Sequence, residues 1–449
     1  MNIIIAGAGE VGSHLAKMLS KEANMLTIID NDPARLNKLS EIADVITVQG
    51  QPTSIATLMQ AGVENADLFI AVSPAQQQDV NILSALLAKK LGSKKVTARV
   101  NNDEYMHHVN KLMFTELGID LLFYPEKIAS YEIADLLRQT GTSEFMEFAR
   151  GMLQMVVFRL DEGAPLIDKQ VSDICSYEGN SQYQTVAIER NSITIIPTPS
   201  TKFVQGDIVF VICTRDGVNQ AMSYSGKNDI EIKNLMIVGG GSIGEMLAKK
   251  MRPLTDNIKI IESRKERCEY LAQTLDKVLI INGDGRNSDL LLEEDVKQYD
   301  AFVAVTSSSE TNILSCVAAK KMGVAKTIAE VENIEYIKLA EEMGVDAVIN
   351  KKLITAGRIF RFTLSNKVRS IKCLNGSDAE ILEFIVSPGS EITKGPIKDL
   401  HFPKEAIIGG IIRGTSSFMA TPETNIKPYD RVVVFALPQV LAKVNKFFI

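Results

Sequence analysis

Residues 3–12 read Ile-Ile-Ile-Ala-Gly-Ala-Gly-Glu-Val-Gly, and 232 positions further on residues 235–244 read Leu-Met-Ile-Val-Gly-Gly-Gly-Ser-Ile-Gly. In each, a short apolar run suited to a buried strand meets a Gly-x-Gly-x-x-Gly turn that opens a helix. Gly7 permits the tight turn, Gly9 has no side chain to obstruct a diphosphate, and Gly12 lets the new helix pack closely on the sheet. The amides at the start of that helix, with its aligned peptide dipoles, favour negative charge. Asp30 lies 18 residues beyond Gly12, after the apolar run Leu26–Ile29. There a carboxylate accepts both hydroxyls of an adenosine ribose and repels a 2′-phosphate, which disfavours NADP. Glu262 stands 18 residues beyond Gly244, after Ile258–Ile261.

The repeat runs past the glycine loops. Asp67-Leu-Phe-Ile-Ala-Val72 matches Asp300-Ala-Phe-Val-Ala-Val305, and Asn81-Ile-Leu-Ser84 matches Asn312-Ile-Leu-Ser315, at offsets of 233 and 231. A second kind of segment follows each copy: Ile188, Arg190, Pro199 and Asp207 recur as Ile411, Arg413, Pro422 and Asp430, each 223 residues on. The order is A-B-A-B, a tandem duplication of a two-lobed unit whose lobes have ordinary domain size. The expected divisions are a first A lobe at 1–123, a connecting helix at 124–140, a first B lobe at 141–224 and a linker at 225–231. A second A lobe at 232–350, a connecting helix at 351–365 and a second B lobe at 366–449 complete the chain.

The fold class is α/β. In the first A lobe the expected strands Asn2–Ala6, Leu26–Ile29, Val45–Val48, Leu68–Val72 and Val96–Val100 alternate with helices Val11–Lys21, Pro33–Ile42 and Val80–Leu91. Such alternation makes a parallel, Rossmann-like sheet. The B lobes, with short strands such as Val156–Leu160, Thr185–Glu189 and Ile208–Cys213 broken by Gly and Pro, read as small α+β modules. Tyr124–Arg138 is an amphipathic helix, and its apolar residues Ile128, Ile133, Leu136 and Leu137 require cover from either the same chain or another subunit.

Across 449 residues, 49 Lys and Arg against 55 Asp and Glu leave a net charge of −6. That balance offers no general attraction for nucleic acid or for an anionic membrane. Apolar stretches such as Val209–Cys213 and Val432–Leu437 fall far short of the ~18–20 residues that cross a bilayer, so no direct membrane insertion is expected. The first residues have neither the basic leader nor the long apolar core of a signal peptide. Cys175, Cys213, Cys268, Cys316 and Cys373 are odd in number and form no CxxC pair, which favours a reducing cytoplasm over disulfides or a zinc cluster. No metal site is expected.

His14, His107, His108 and His401 read as solvated helix surface, the middle pair in a polar helical stretch, Asn101–Asn110. HExxH, GxSxG and the Walker-type GxxxxGK[ST] are all missing from the sequence. Lys89-Lys90 and Lys320-Lys321 end equivalent helices, where cations complement the dipole, and Met146, Met152 and Met155 sit in apolar runs. The glycine loop suits NAD, NADH, ADP and ATP alike. A dehydrogenase also needs a substrate site and a placed proton donor or acceptor. No catalytic set is evident, so an NAD-dependent oxidoreductase stands as the alternative reading. A redox-sensing transcription regulator would need a basic helix-turn-helix, which the acidic balance argues against.

The two copies differ. Arg99 ends the fifth strand of the first, where a guanidinium reaches a bound phosphate, while Glu330 holds the matching place in the second. Gly283-Asp284 follows the third strand of the second copy and Gly50-Gln51 that of the first. Different ligand preferences are expected.

On these residues the chain resembles the TrkA family, cytoplasmic regulatory subunits of bacterial Trk potassium uptake built from tandem RCK (KTN) domains. The doubled fingerprint, the strands ending in Ser73 and Thr306, the Asn-Ile-Leu-Ser helices and Arg190, Pro199 and Gly206-Asp207 of the B lobe carry the likeness. The resemblance implies a protein that is not an enzyme, peripheral on the inner face of the cell membrane. It implies a tetrameric ring of RCK domains under a separate potassium-conducting Trk-type membrane subunit, responsive to NAD(H), ATP or ADP. By motif match, Gly7, Ala8, Gly9, Glu10, Val11, Gly12, Asp30, Ser73, Pro74 and Arg99 would form the first site. Gly239, Gly240, Gly241, Ser242, Ile243, Gly244, Glu262, Asp284 and Thr306 would form the second. Relatives often carry an acidic residue where this chain has Gln51.

Overall fold

A computed structural model describes residues 1–20, 25–139, 141–174, 181–191, 193–226, 230–363, 368–373 and 379–448. The first A lobe alternates β1 (Asn2–Ala6), α1 (Glu10–Ser20), β2 (Met25–Asp30), α2 (Pro33–Ser40), β3 (Ile46–Gln49) and α3 (Ile55–Gln60). It continues with β4 (Leu68–Ala71), α4 (Gln78–Leu91), β5 (Lys95–Arg99), α5 (His108–Glu116) and β6 (Leu121–Phe123), after which comes the connecting helix α6 (Pro125–Arg138). The strands pair in parallel in the order β3-β2-β1-β4-β5-β6. Strand order reverses between β1 and β4, and the crevice at the carboxyl ends there is the place where open parallel sheets bind ligands.

The first B lobe holds β7 (Glu144–Phe148), β8 (Leu153–Arg159), α7 (Val171–Ile174), β9 (Tyr183–Arg190), β10 (Ile193–Ile195), β11 (Ile208–Thr214) and α8 (Val218–Ser223). The second A lobe repeats the first: β12 (Asn234–Val238), α9 (Ser242–Met251), β13 (Asn257–Glu262), α10 (Lys265–Thr274), β14 (Leu279–Asn282), α11 (Ser288–Glu293) and β15 (Ala301–Ala304). After it come α12 (Ser309–Lys321), β16 (Lys326–Glu330), α13 (Glu335–Glu342), β17 (Ala347–Ile349) and α14 (Lys351–Thr363). The second B lobe comprises β18 (Val368–Cys373), β19 (Glu380–Ile385), β20 (Ala406–Arg413), β21 (Ser416–Met419), β22 (Arg431–Ala436) and α15 (Leu441–Phe448). Its order β18-β19-β22-β20-β21 matches β7-β8-β11-β9-β10 strand for strand, and the second parallel sheet reads β14-β13-β12-β15-β16-β17.

The chain resolves into two compact bodies, residues 1–129 with 351–363 and residues 130–350 with 364–449. In the first, α14 packs on α1, the helix of the first glycine loop. Lys95 also sets its ammonium 5.0 Å from the ring centroid of Phe362 on α14. In the second, the two antiparallel sheets share one core. Leu153, Met155 and Val157 of β8 face Ile381, Ile412, Val433 and Phe435, and the Phe210 and Phe435 rings lie 5.9 Å apart. Val156 and Phe158 point the other way, onto α7 and α8 beside Val218 and Met222. The period of two thus gives β8 two buried faces. Gly409 permits this packing, since a Cβ there would come 2.3 Å from Ile212 Cδ1.

The recurring Arg and Asp of the B lobes are one clamp made twice. Arg190 Nε and Nη2 each donate over 2.8 Å to the carboxylate of Asp207, and Arg413 reaches Asp430 over 2.9 and 2.6 Å. The carboxylates also accept from Val204 N and Lys427 N, so each ties the end of a strand to its loop.

Several expectations change. The sixth strands β6 and β17, three residues each, are too short for a pattern to announce. The helix foreseen over Asn101–Asn110 is interrupted, because His107 is extended (ψ 145°) and α5 starts only at His108. His107, His108 and His401 are exposed, whereas His14 is half-buried. The apolar face of α6 is covered by the chain itself, with Ile133, Leu136 and Leu137 buried. The polar stretch after α8 is not all linker: Ser225 is buried and Tyr224 packs on Tyr183, their hydroxyls 3.0 Å apart. Residues 227–229 of that linker, 364–365 of the second connecting helix and Cys175 lie outside the described residues, as does the Cys373 side chain. Cys213, Cys268 and Cys316 are free, buried thiols, and burial pushes all three up from the usual thiol range. Met155 is core, with Met146 and Met152 against it.

The Asp207 carboxylate is fully buried while Arg190 keeps 31% of its side-chain exposure. Truncating the arginine strands a buried charge, so Arg190→Ala is expected to cost about 3–5 kcal/mol and Asp207→Ala less, read as the shift of the urea midpoint. Negligible shifts would show the clamp to be ornamental, and equal ones would contradict the burial asymmetry.

Candidate nucleotide sites

The first crevice is built by glycines with separate duties. Gly7 has φ +113°, and a Cβ there would meet Ser73 N at 2.9 Å; a Cβ on Gly12 would meet Gly7 O at 1.8 Å. Around Gly9 a Cβ would meet nothing within 4 Å. Gly12 therefore serves packing, and Gly9 leaves open space in front of the loop. Ser13 N is the first amide to bond back, to Gly9 O over 2.8 Å, so those of Glu10, Val11 and Gly12 have no intrahelical acceptor.

Asp30 ends β2 beside this loop. Its Oδ2 accepts from Ala8 N over 2.7 Å and its Oδ1 from Asp32 N over 2.9 Å. A carboxylate accepts about four hydrogen bonds, so these two leave capacity for hydroxyls. Ser73 and Pro74 follow β4. Ser73 is buried, its N–H given to Asn81 Oδ1 over 2.8 Å, while Pro74 is exposed. Arg99, at the end of β5, turns its Nη2 to Glu126 Oε1 at 3.0 Å, and its buried Nε has no hydrogen-bond partner. The phosphate-facing role expected for it requires that ion pair to open.

The second crevice repeats the frame. Gly239 has φ +103°, a Cβ on Gly244 would meet Gly239 O at 2.1 Å, and Gly241 faces open space. Gly240 N donates to Glu262 Oε2 over 2.9 Å. Ser242 is exposed and Ile243 buried. Here, however, protein cations occupy the ground. Glu262 Oε1 also accepts from Arg264 N (2.9 Å) and Arg264 Nε (3.1 Å). Burial alone would raise the Glu262 carboxyl, but the Arg264 guanidinium and the two backbone donors outweigh it and hold it below the usual carboxylate range. Arg267 Nε bonds Gly240 O over 2.7 Å and its Nη2 bonds Glu245 over 2.6 Å, bracing the loop against α10. Asp284, after β14, is exposed and paired with Arg286 over 2.7 Å. Thr306 gives its Oγ1–H to Asn312 Oδ1 over 2.7 Å.

Two features escaped the sequence reading. The Asn of each Asn-Ile-Leu-Ser helix is a staple: Asn81 Nδ2 reaches Ser73 O and Arg99 O, and Asn312 Nδ2 reaches Thr306 O and Glu330 O. Each joins the ends of two neighbouring strands that frame the crevice; the repeated asparagine was the available signal. The Arg264 and Arg267 pair was visible in Glu-Ser-Arg-Lys-Glu-Arg, where the first copy has Asp-Asn-Asp-Pro-Ala-Arg. The terminal lysines are structural, Lys89 bonding Lys94 O and Asp120 and Lys320 bonding Ala325 O and Asp346.

A doubled dinucleotide-type crevice with paired antiparallel B lobes defines a tandem two-lobed RCK-type chain. The TrkA-N domain family matches residues 3–125 and 235–351, and the TrkA-C domain family matches 155–226 and 381–449. The Trk system potassium uptake protein TrkA homolog of Archaeoglobus fulgidus is 34% identical over the full length of both chains. The Halomonas elongata Trk system potassium uptake protein TrkA is 30% identical over 97% of this chain and 96% of its own. The chain belongs to the TrkA family of Trk-system potassium uptake proteins. Among solved structures, the GsuK channel bound to NAD is similar over 100% of this chain and 78% of its own, with a TM-score of 0.61 at 15% identity, a likeness of fold.

Gly12→Ala is expected to lower stability by about 1–3 kcal/mol or more through its clash with Gly7 O. Gly9→Ala should leave the melting temperature nearly unchanged. The reverse order in thermal melts would refute this division of the glycines.

Proposed function

We propose that this chain is a nucleotide-sensing regulatory subunit that gates a potassium-conducting membrane partner. In this reading its lobes, at 1–123, 141–224, 232–350 and 366–449, work as RCK domains. The observation that carries it is the open glycine loop with Asp30 beside it, bound to Ala8 N and with acceptor capacity to spare. Family membership supports the potassium role, and the GsuK channel, named as bound to NAD and in another structure to ADP, supports the ligand class. The reading includes a cytoplasmic location at the membrane face and a tetrameric ring, and it needs no reaction on the nucleotide. No described helix is long and apolar enough to cross a membrane, which leaves conduction to the partner.

Gating follows from population shift: a nucleotide moves the ring only if it binds two arrangements with different affinity. NAD(H), ATP and ADP share the adenosine diphosphate, so the γ-phosphate or the nicotinamide supplies the difference. The second crevice, where Arg264 already engages Glu262, takes a different ligand or binds more weakly.

Asp30→Ala removes charge-assisted hydrogen bonds worth roughly 1.5–3 kcal/mol, so calorimetry with ADP or NADH should show about a 10- to 100-fold loss of affinity. An unchanged constant removes Asp30 from the site. Small-angle scattering at saturation should give different profiles with ATP and ADP, and identical profiles would contradict nucleotide-driven rearrangement.

A further inference from the structure

The helix that leaves the second A lobe does not stay with it. Residues 351–363 belong to the first compact body, where α14 lies along α1. Thr355, Ala356 and Ile359 are fully buried there, and so are Leu15, Ala16 and Leu19 of α1. This docking brings one cation to the first glycine loop. Lys352 Nζ lies 2.9 Å from Oε2 of Glu10, the residue inside the fingerprint that begins α1. The two side chains are unequally placed: Glu10 keeps 65% of its exposure and Lys352 only 16%. An ion pair with one partner so exposed contributes little. The packing of α14, not the attraction of Glu10, therefore holds the ammonium where it is.

From this geometry we infer that Lys352 is the residue that reads the phosphate chain of a nucleoside polyphosphate in the first crevice. The inference rests on the nucleotide reading of that crevice. A carboxylate in the loop opposes every added phosphate charge, and Glu10 puts one there. An ammonium has three donors and no fixed plane, so Lys352 can neutralise Glu10 and turn to the terminal phosphate. The more phosphates the ligand carries, the more it competes with Glu10 for Lys352.

Calorimetry on the full chain with adenosine, AMP, ADP and ATP tests this, with an Asp30→Ala arm reporting what the second crevice adds. In the wild type, affinity climbs with phosphate number. Lys352→Gln should cut ATP affinity about tenfold or more and leave adenosine and AMP unchanged, while Lys352→Arg restores the climb. Glu10→Gln, which keeps the lysine and removes its competitor, should steepen the climb. A Lys352→Gln protein that weakens all four ligands by one factor, or none, overturns the assignment, as does an unchanged climb in Glu10→Gln should Lys352→Gln not fold. A wild type that binds none of the four sinks the nucleotide reading and the assignment with it.

Discussion

A backbone amide in the glycine loop donates to the carboxylate that ends the neighbouring strand: Ala8 N to Asp30 over 2.7 Å, and Gly240 N to Glu262 over 2.9 Å. That bond sets the distance between the helix start and the carboxylate, the two groups to which the proposed reading assigns phosphate and ribose. Around it, Gly7 and Gly12 bring α1 down on the sheet, and Asn81 ties β4, β5 and α4 together on the far side. The backbone frame of the crevice is thus set by the chain's own bonds, and in the proposed reading a ligand has only the Arg99–Glu126 and Lys352–Glu10 pairs to open, which leaves binding energy for shifting subunits.

Duplication kept the frame and changed the charges. In the first copy Asp32 caps α2 by accepting from Ala34 N, and it pairs with Arg35 at the exposed surface. In the second, Arg264 takes the capping place and turns back on Glu262, while Arg267 is drawn inward to Gly240 O and Glu245. A hydroxyl seeking Glu262 must displace a guanidinium, whereas one seeking Asp30 meets an acceptor with room. The α14 helix adds to the contrast by giving the first loop the lysine at position 352. In the proposed reading the Arg264 difference bears on the ribose end that NAD(H), ADP and ATP share, and the Lys352 difference on the phosphate chain in which they differ.

The parallel sheets were legible because strand, glycine turn, helix and acidic residue are all local in sequence, and the repeat supplied each signal twice. The B lobes were legible as recurring Arg190 and Asp207, but that they form a buried bidentate clamp depends on the 16 intervening residues, β10 among them, folding back. Three-residue strands such as Leu121–Phe123 carry too few side chains to show a period. Ser225 looked like linker because its neighbours are polar, yet it is buried, and the contact of the preceding Tyr224 with Tyr183 is long-range. Lys352 was beyond reach for the same reason: nothing local says that a helix following the second sheet packs on the first.

The central claim is that an adenine nucleotide lies across the first glycine loop with its ribose on Asp30. A crystal structure grown in millimolar ADP tests it most directly. The account predicts the diphosphate against the amides of Glu10 and Val11 and ribose hydroxyls within hydrogen-bond distance of Asp30. Both crevices empty, or the nucleotide bound elsewhere with Asp30 untouched, would contradict it.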